Sequence, residues 1–309
     1  MNKETSVAII LCTYNGEEYL EEQLDSIVNQ TFKNWVIIAS DDCSNDRTID
    51  ILKTYQATLG EEKLKIITGP KKGFAWNFLS ALRLCHDDFD YYAFSDQDDI
   101  WLKDKLEQGI NLLNIRDSSR PAIHCGRTFL INEAGYTYGK SYLFRRRPSF
   151  ENALMQNIAG GNTMLINKAA KKLIDLTPTS CKVISHDWWV YILITGCGGE
   201  VIYDPIPRVL YRQHERNIIG SNTSVLSKIS RIKKLFDGQF RKWNQYNINA
   251  LSFFENNLQA RSKKIYISFN EVRNSNLPLR FYHFFKAGFY RQTLSGNIAL
   301  LVGVLLKKI

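Results

Sequence analysis

The stretch YYAFSDQDDIW at residues 91–101 sets an apolar, aromatic run directly before a group of three carboxylates. The run at 91–95 predicts a buried strand, and helical spacing returns at 103–115. Three ionised carboxylates at a strand end repel one another, and each is costly to desolvate. A hard divalent cation with oxygen ligands would hold them there, and a solvated acidic turn before a helix is the alternative.

The first half of the chain alternates strand and helix patterns around this stretch. Apolar runs predict strands at 7–12, 35–40, 64–68 and 91–95, and helical spacing predicts helices at 17–29, 48–58 and 74–84. Such alternation with short connections implies parallel strands joined by right-handed crossovers and covered on both faces. We therefore predict an α/β fold with a mostly parallel central sheet that binds ligands at the carboxyl ends of its strands.

The second half of the chain is less regular. We predict strands at 122–131, 162–167, 201–203 and 208–211, a short helix at 187–195, and helical segments at 226–236, at 240–262 and from 279 to the end. A boundary near 220–222 would separate a catalytic domain, 1–220, from a helical C-terminal region, 221–309.

The C-terminal region is strongly basic. The whole chain carries +9, but residues 221–309 hold 15 Lys/Arg against 3 Asp/Glu, a net charge of +12, which leaves −3 for residues 1–220. A basic, aromatic tail predicts contact with an anionic membrane surface. A helical subdomain packed on the core, or a homodimer, is the alternative. No nucleic-acid-binding module accompanies the charge, so we predict no nucleic acid partner.

The sequence also bears on the cellular compartment. It shows no secretory signal and no apolar run of about 20 residues, the length that spans a bilayer. Six scattered cysteines predict reduced thiols rather than a disulfide framework. We therefore expect a cytoplasmic protein, peripheral at the cytoplasmic face of the membrane.

Polar residues follow the first two predicted strands and should lie on the same rim as the acidic cluster. The Tyr14 ring offers a stacking face, and Asn15 offers hydrogen bonds to a base or ribose. Asp42 would accept the imide N–H of uracil or thymine, whereas Asp46 would cap the following helix. Ordinary strand-to-helix turn chemistry is the alternative for each residue. The glycine-rich patterns of dinucleotide-binding and P-loop proteins are lacking, so a metal would largely neutralise any bound phosphates.

Four ordered motifs resemble inverting family 2 glycosyltransferases of the GT-A fold. They are IILCTYN at 9–15, ASDDCSNDRT at 39–48, GFAWN at 73–77 and FSDQDDIWLKDKL at 94–106. Within that family the chain is similar to bacterial rhamnosyltransferases that build cell-surface polysaccharide. The resemblance implies a nucleotide-diphosphate-sugar donor and a Mg²⁺ or Mn²⁺ ion.

The resemblance also assigns roles at the rim. It implies that Tyr14 and Asp42 contact the base, that Asp96 lies at the ribose and metal, and that Asp98 binds the metal, with Asp99 beside it as a ligand or a supporting group. The same motifs make further residues candidate donor contacts, namely Thr13, Asn15, Gly73 and Asn77.

Two later motifs complete the candidate site. In the family, the carboxylate at the position of Asp187 removes the proton from the acceptor hydroxyl; a first-turn helix acid is the alternative. The preceding residue, often Glu in the family, is His186 here. Trp188 would form a sugar-stacking wall or belong to the core.

The motif YRQH at 211–214 follows a predicted strand. His214 would be a third metal ligand, and Arg212 would neutralise the diphosphate. Gly161 would let an acceptor sugar approach the backbone closely, although a plain turn explains it nearly as well.

The predicted function is metal-dependent transfer of a sugar with inversion. The expected donor is dTDP-rhamnose, and the expected acceptor is a polyprenyl-linked saccharide of O-antigen or capsule synthesis. Alternatives are a UDP-sugar donor, a sugar nucleotidyltransferase or phosphotransferase, and a non-catalytic protein that binds sugar nucleotides.

Overall fold

A seven-stranded sheet forms the centre of the protein. The computed structural model describes residues 5–86, 88–214 and 237–309. In spatial order the strands are β10 (Glu200–Asp204), β6 (Ala122–Gly126), β9 (Leu165–Asn167), β4 (Tyr91–Ser95), β1 (Val7–Thr13), β2 (Trp35–Asp41) and β3 (Leu64–Thr68). The short β9 runs antiparallel to β4 and β6, and every other pair is parallel.

Helices cover both faces of this sheet. They are α1 (Leu20–Val28), α2 (Thr48–Leu59), α3 (Phe74–Leu84), α4 (Lys105–Asn114), α5 (Phe150–Ala153), α6 (Lys168–Asp175) and α7 (His186–Gly196). Residues of β1 alternate between two hydrophobic clusters: Ile10 packs on the side of α3 and α7, and Ile9 packs on the side of α1, α2 and α4. Burial on both faces explains why the strand sequences are continuously apolar.

A second sheet of four short strands lies beside the first. Its order is β5 (Ile100–Trp101), β11 (Val209–Arg212), β7 (Phe129–Ile131) and β8 (Thr137–Lys140). The single strand predicted at 122–131 is therefore wrong, because the chain leaves the first sheet after Gly126 and enters the second at Phe129. The strand predicted at 162–167 is shorter than expected, since a 3₁₀ turn at Gly161–Thr163 precedes β9.

Within residues 237–309, the described part of the C-terminal region, the helices are α8 (Gln239–Leu251), α9 (Ala260–Asn274), α10 (Leu277–Ala287) and α11 (Leu294–Leu305). The segment predicted as one helix at 240–262 is interrupted after Leu251, where Phe254 and Leu258 turn into the core. These helices share one hydrophobic cluster with α3 and α7. Within the described ranges, no helix has the length and apolarity needed to cross a membrane. The predicted helix at 226–236 and the boundary at 220–222 lie outside the described residues.

Candidate active site

The carboxyl ends of β1, β2 and β4 bring three polar loops to one rim. Thr13 pairs with Asp41 across β1 and β2, and Leu11 pairs with Ser95 across β1 and β4. Because these strands are parallel, the residues that follow them emerge on the same side of the sheet. The structure thus brings together the loops of Tyr14 and Asp42 and the acidic turn, defined as residues 96–99.

The Tyr14 backbone is fixed while its ring is exposed. Its N–H donates to Gln97 Oε1 at 2.8 Å, and Gln97 Nε2 donates to its carbonyl at 3.0 Å. The next residue, Asn15, has a φ of 48°, which Asn tolerates better than most residues. Thr13 Oγ1 donates to Asp41 Oδ1 at 2.8 Å. The Tyr14 ring is therefore presented to solvent by a rigid loop.

The Asp42 carboxylate connects two rim loops. It accepts from the backbone N–H groups of Lys71 at 2.6 Å and Gly73 at 3.3 Å. Gly73 has a φ of 81°, in the region that favours glycine. Asn77 lies deeper than the sequence suggests: it is buried, and it exchanges two hydrogen bonds with Ser40. Asn77 therefore joins α3 to β2 beneath the rim.

Asp99 is the fully buried member of the acidic turn. Its Oδ2 accepts from Asn162 Nδ2 at 2.6 Å, and its Oδ1 accepts from the Arg212 N–H at 3.1 Å. Burial is the main reason why the pKa of Asp99 lies well above its usual value, and the nearby charges of Asp98 and Asp96 raise it further. Both oxygens thus accept hydrogen bonds from neighbouring chain segments, which suits a residue that supports the acidic turn better than one that binds a metal.

Asp96 is the first residue of the acidic turn, and its charge interacts with that of Asp187 in α7. Burial raises the pKa of Asp96 to about 8, with further contributions from the charges of Asp98 and Asp187. Carboxylates that repel one another in a buried site are stabilised by a nearby cation. The electrostatics of the site therefore favour a positively charged ligand close to Asp96 and Asp98.

Asp98 and His214 form a pair at the outer side of the acidic turn. His214 Nε2 lies 2.8 Å from Asp98 Oδ2. An imidazole nitrogen beside a carboxylate oxygen suits a divalent ion such as Mn²⁺. Within residues 5–86, 88–214 and 237–309, no three His, Cys, Asp or Glu side chains are grouped as a complete metal site. The pair thus fits part of a coordination sphere.

The Arg212 side chain is 1% exposed, and its guanidinium contacts other residues of the protein. Its Nε donates to the Asp98 carbonyl at 3.1 Å, one terminal nitrogen donates to the Glu133 carbonyl at 2.6 Å, and the other contacts Glu22 Oε2 at 2.5 Å. Its guanidinium also lies 4.4 Å from the centre of the Tyr19 ring. These contacts tie β11 to α1 and to the backbone of the acidic turn.

Asp187 lies in the first turn of α7 and is held by three N–H groups. Its Oδ2 accepts from Asn157 Nδ2 at 2.9 Å and from the Gly161 N–H at 3.2 Å, and its Oδ1 accepts from the Trp188 N–H at 2.7 Å. The carboxylate is only partly buried. It is therefore oriented by its neighbours and remains accessible.

His186 fills the space behind Gly161. It is buried and stacks on Phe78 with ring centroids 3.9 Å apart. Burial lowers the pKa of His186 to about 4, so the ring is neutral at physiological pH. A Cβ on Gly161 would lie 2.5 Å from His186 Nε2. The absence of a side chain at 161 is therefore required by local packing.

Trp188 belongs to the core, the second of the two roles considered for it. It is buried, and its Nε1 donates to the Ala153 carbonyl at 2.7 Å. Its ring stacks 6.2 Å from Phe240 and meets Trp243 edge-on at 6.5 Å. Trp188 thus anchors α8 against α7.

Sequence reasoning missed the amides that hold the carboxylates. Gln97 fixes the Tyr14 loop, Asn157 orients Asp187, and Asn162 binds Asp99. Gln97 lies inside the acidic motif, which is a usable signal. The other two lie in irregular segments where no periodicity marks them.

Comparisons with known proteins place the chain in a family. A model of glycosyl transferase family 2 matches residues 8–174. The dTDP-rhamnosyl transferase RfbG of Shigella flexneri is 31% identical over 265 residues, which cover 80% of this chain and 88% of that protein.

Two solved structures share the fold. TarS 1–349 of S. aureus in complex with UDP-GlcNAc aligns with a TM-score of 0.55 and 16% identity, covering 98% of this chain and 88% of that one. The mannosyltransferase PcManGT from Pyrobaculum calidifontis, in complex with GDP-Man and Mn²⁺, gives 0.53 and 17%, covering 100% and 89%. These likenesses confirm the predicted GT-A fold with its helical extension. The family match extends over more than half of the chain, and with the similarity to RfbG it shows that this glycosyltransferase belongs to glycosyl transferase family 2.

Proposed function

We propose that the protein transfers rhamnose from dTDP-rhamnose to a hydroxyl of a saccharide acceptor in cell-surface polysaccharide synthesis. The observation that carries this proposal is the geometry of Asp187, an accessible carboxylate that is oriented by hydrogen bonds from Asn157, Gly161 and Trp188. The choice of donor sugar rests on the similarity to RfbG.

The donor nucleotide would occupy the rim between β1 and β2. In this proposal the exposed Tyr14 ring stacks on the base, and Asp42 accepts the imide N–H. The loops of Thr13, Asn15 and Gly73 supply the surrounding backbone, while Asn77 supports them from below. Rearrangement of the Lys71–Gly73 loop would release Asp42 for the base, because those backbone N–H groups now hold its oxygens.

Asp98 and His214 would hold a Mg²⁺ or Mn²⁺ ion, with Asp96 next to them. Such an ion stabilises the negative charge that develops on the leaving diphosphate. A cation with few protein ligands completes its coordination with substrate phosphates and water. Asp99 and Arg212 act as positioning residues: Asp99 fixes the acidic turn by accepting from Asn162, and Arg212 fixes it by donating to Asp99 and to the Asp98 carbonyl.

Asp187 would act as the general base. It accepts the proton of the acceptor hydroxyl while that oxygen forms a bond to the anomeric carbon and the bond to the diphosphate oxygen breaks. Attack from the face opposite the leaving group inverts the configuration. The acceptor would lie next to Asp187, against the backbone of Gly161, whose N–H donates to the same carboxylate.

The acceptor would be a polyprenyl-linked saccharide, presented at the cytoplasmic face of the membrane. The basic charge of the C-terminal region favours this placement, since basic side chains are attracted to anionic lipid headgroups.

Asp187→Asn tests the proposal. The substitution keeps the shape of the side chain and removes the base, so transfer should fall about 10³-fold or more while the Kd for the donor with Mn²⁺ changes little. Asp104→Asn, at an exposed carboxylate beside Arg208, is the matched control and should leave transfer unchanged. Full transfer by Asp187→Asn would remove Asp187 as the base.

A panel of nucleotide sugars tests the donor. Binding and turnover of dTDP-rhamnose should exceed those of UDP-glucose and GDP-mannose. Preference for a UDP-sugar would leave the glycosyltransferase assignment intact and correct the donor. Donor binding without turnover on any acceptor would favour the non-catalytic alternative.

A further inference from the structure

Helices α10 and α11 form an antiparallel hairpin with an apolar outer surface. Arg280, near the start of α10, donates to the carbonyls of Val304 at 2.8 Å and Leu305 at 3.2 Å, at the end of α11. The inner side of the hairpin packs into the hydrophobic cluster through buried residues such as Phe284 and Leu300. The hairpin is thus anchored to the core through its inner side.

The outer side carries large apolar side chains at helical spacing. Those on α10 are Leu279, Tyr282 and Phe285, and those on α11 are Leu294, Ile298 and Leu305; we call these six residues the hairpin surface. Phe285 is 65% exposed and Leu294 is 79% exposed. Ordinary amphipathic helices place polar residues on this side. Six large apolar side chains exposed on two neighbouring helices indicate a site of interaction.

The charge around the hairpin surface has one sign. Residues 277–309 contain no Asp or Glu and five basic residues, of which Lys286, Arg291, Lys307 and Lys308 are not buried. An isologous dimer through this surface would bring like charges together, because a two-fold axis places the same patch on both sides. An anionic partner is favoured instead.

A second basic segment joins the hairpin from the catalytic part of the chain. Arg145, Arg146 and Arg147 are consecutive and exposed. The Arg146 N–H donates to Gln292 Oε1 and Gln292 Nε2 donates back to the Arg146 carbonyl, both at 3.0 Å. The Arg146 guanidinium also lies 3.6 Å from the centre of the Tyr290 ring. This arginine loop is therefore fixed beside the turn of the hairpin.

The same turn is connected to the candidate base. The Gln292 N–H donates to Gln156 Oε1 at 2.9 Å, and the adjacent Asn157 donates to Asp187. The turn of the hairpin is therefore linked to the loop that orients Asp187.

We propose that the hairpin surface and the arginine loop dock on the surface of an anionic lipid bilayer. At about 1.5 Å per residue, α11 is roughly 18 Å long, too short for a hydrocarbon core of about 30 Å, so the hairpin lies along the interface. Its apolar side chains enter the acyl boundary, and the basic residues contact lipid phosphates. This inference rests on the proposed membrane-linked acceptor and adds the surface that faces the membrane.

Vesicle co-sedimentation of the full chain tests the docking. Wild type should bind vesicles of phosphatidylcholine with phosphatidylglycerol more tightly than phosphatidylcholine alone, and added salt should weaken binding. Phe285→Ser combined with Leu294→Ser should lower partitioning at least tenfold. Arg145→Gln with Arg147→Gln should lower it roughly tenfold, only when phosphatidylglycerol is present. Leu84→Ser with Ile115→Ser, at side chains 66% and 72% exposed elsewhere, is the control and should bind like wild type.

Three outcomes would overturn the inference: no binding of wild type to anionic vesicles, equal binding by the hairpin and control variants, or a dimer that the hairpin variant dissociates in light scattering. Transfer to a water-soluble saccharide acceptor separates docking from chemistry, since the hairpin variant should retain it. If wild type does not transfer sugar to the water-soluble acceptor, that result counts against the proposed function and not against docking.

Discussion

The acidic turn and the hairpin surface depart from the usual distribution of side chains in opposite ways. The acidic turn buries the Asp99 carboxylate completely and those of Asp96 and Asp98 in part, whereas the hairpin exposes rings and aliphatic chains such as Phe285 and Leu294. Folded chains usually expose charge and bury apolar groups. Binding would stabilise each region: a cation and the donor would offset the buried negative charge of the acidic turn, and lipid would cover the exposed apolar side chains of the hairpin. The difference teaches that one fold can present a charged site for a cation and donor and, elsewhere, an apolar surface for lipid.

The largest expected effect is at the acidic turn. Asp98→Ala removes a proposed ligand, so Mn²⁺-dependent donor affinity should fall by about 100-fold or more, beyond the effect of losing a supporting residue. Titration calorimetry with a nucleoside diphosphate measures this change, and Asp104→Ala is the control. If metal-dependent affinity survives in Asp98→Ala, the ion is held elsewhere and the buried carboxylates need another explanation.

A smaller effect is expected from Asn157→Ala. The variant removes one of three hydrogen bonds that orient the Asp187 carboxylate, and misalignment of a catalytic group lowers kcat by about ten- to hundredfold. The donor Kd should not change. Asn249→Ala, at an exposed amide on α8, controls for the chemical change. An unchanged kcat would show that Gly161 and Trp188 suffice to hold the base.

The pH dependence of stability probes the cost of buried charge beside Asp99. Burial lowers the pKa of Lys105 to about 7, whereas an unfolded lysine titrates near 10.4. Between these values the unfolded chain binds the additional proton, so the free energy of unfolding should rise with pH, by up to about 1.4 kcal/mol per pH unit. Urea denaturation from pH 7 to pH 10 should show this rise in wild type and in the Lys103→Met control. The same slope in Lys105→Met would assign it to another group.

The smallest effect is expected at the hairpin surface. Phe285→Ala should change the free energy of unfolding by less than about 0.5 kcal/mol, because its ring already faces solvent. The buried Phe269 on α9 provides the comparison, and Phe269→Ala should cost about 3–5 kcal/mol. Thermal or urea unfolding measures both. A large loss in Phe285→Ala would mean that the hairpin surface is structural, which would weaken the contrast between the two regions.

Long apolar runs made much of the fold predictable. The bounds predicted for β3, β4 and α3 agree with the structure, because buried strands and an apolar helix leave clear periodic patterns. The strand predicted at 208–211 agrees with β11 within one residue, but the other strands of the second sheet have two to four residues and carry too little pattern to be located. The antiparallel direction of β9 depends on its neighbours in space, which local sequence does not encode.

The candidate site shows the same division. Positions that follow a strand were located by the rule for parallel sheets, as with Tyr14, Asp42 and Asp96. The direction in which each side chain points was not predicted, because it depends on partners that are distant in sequence. Arg212 has the chemistry of a phosphate-binding residue, yet its guanidinium contacts Glu22, 190 residues away in sequence.

The two hydrogen bonds to Asp99 have a consequence for how the two substrates bind. One carboxylate holds Asn162, next to the glycine that contacts the base, and the backbone of Arg212, two residues before His214. A shift of the acidic turn on donor binding would therefore move both segments together. Because such coupling is reciprocal, we expect the donor and the acceptor each to raise the affinity for the other by the same factor.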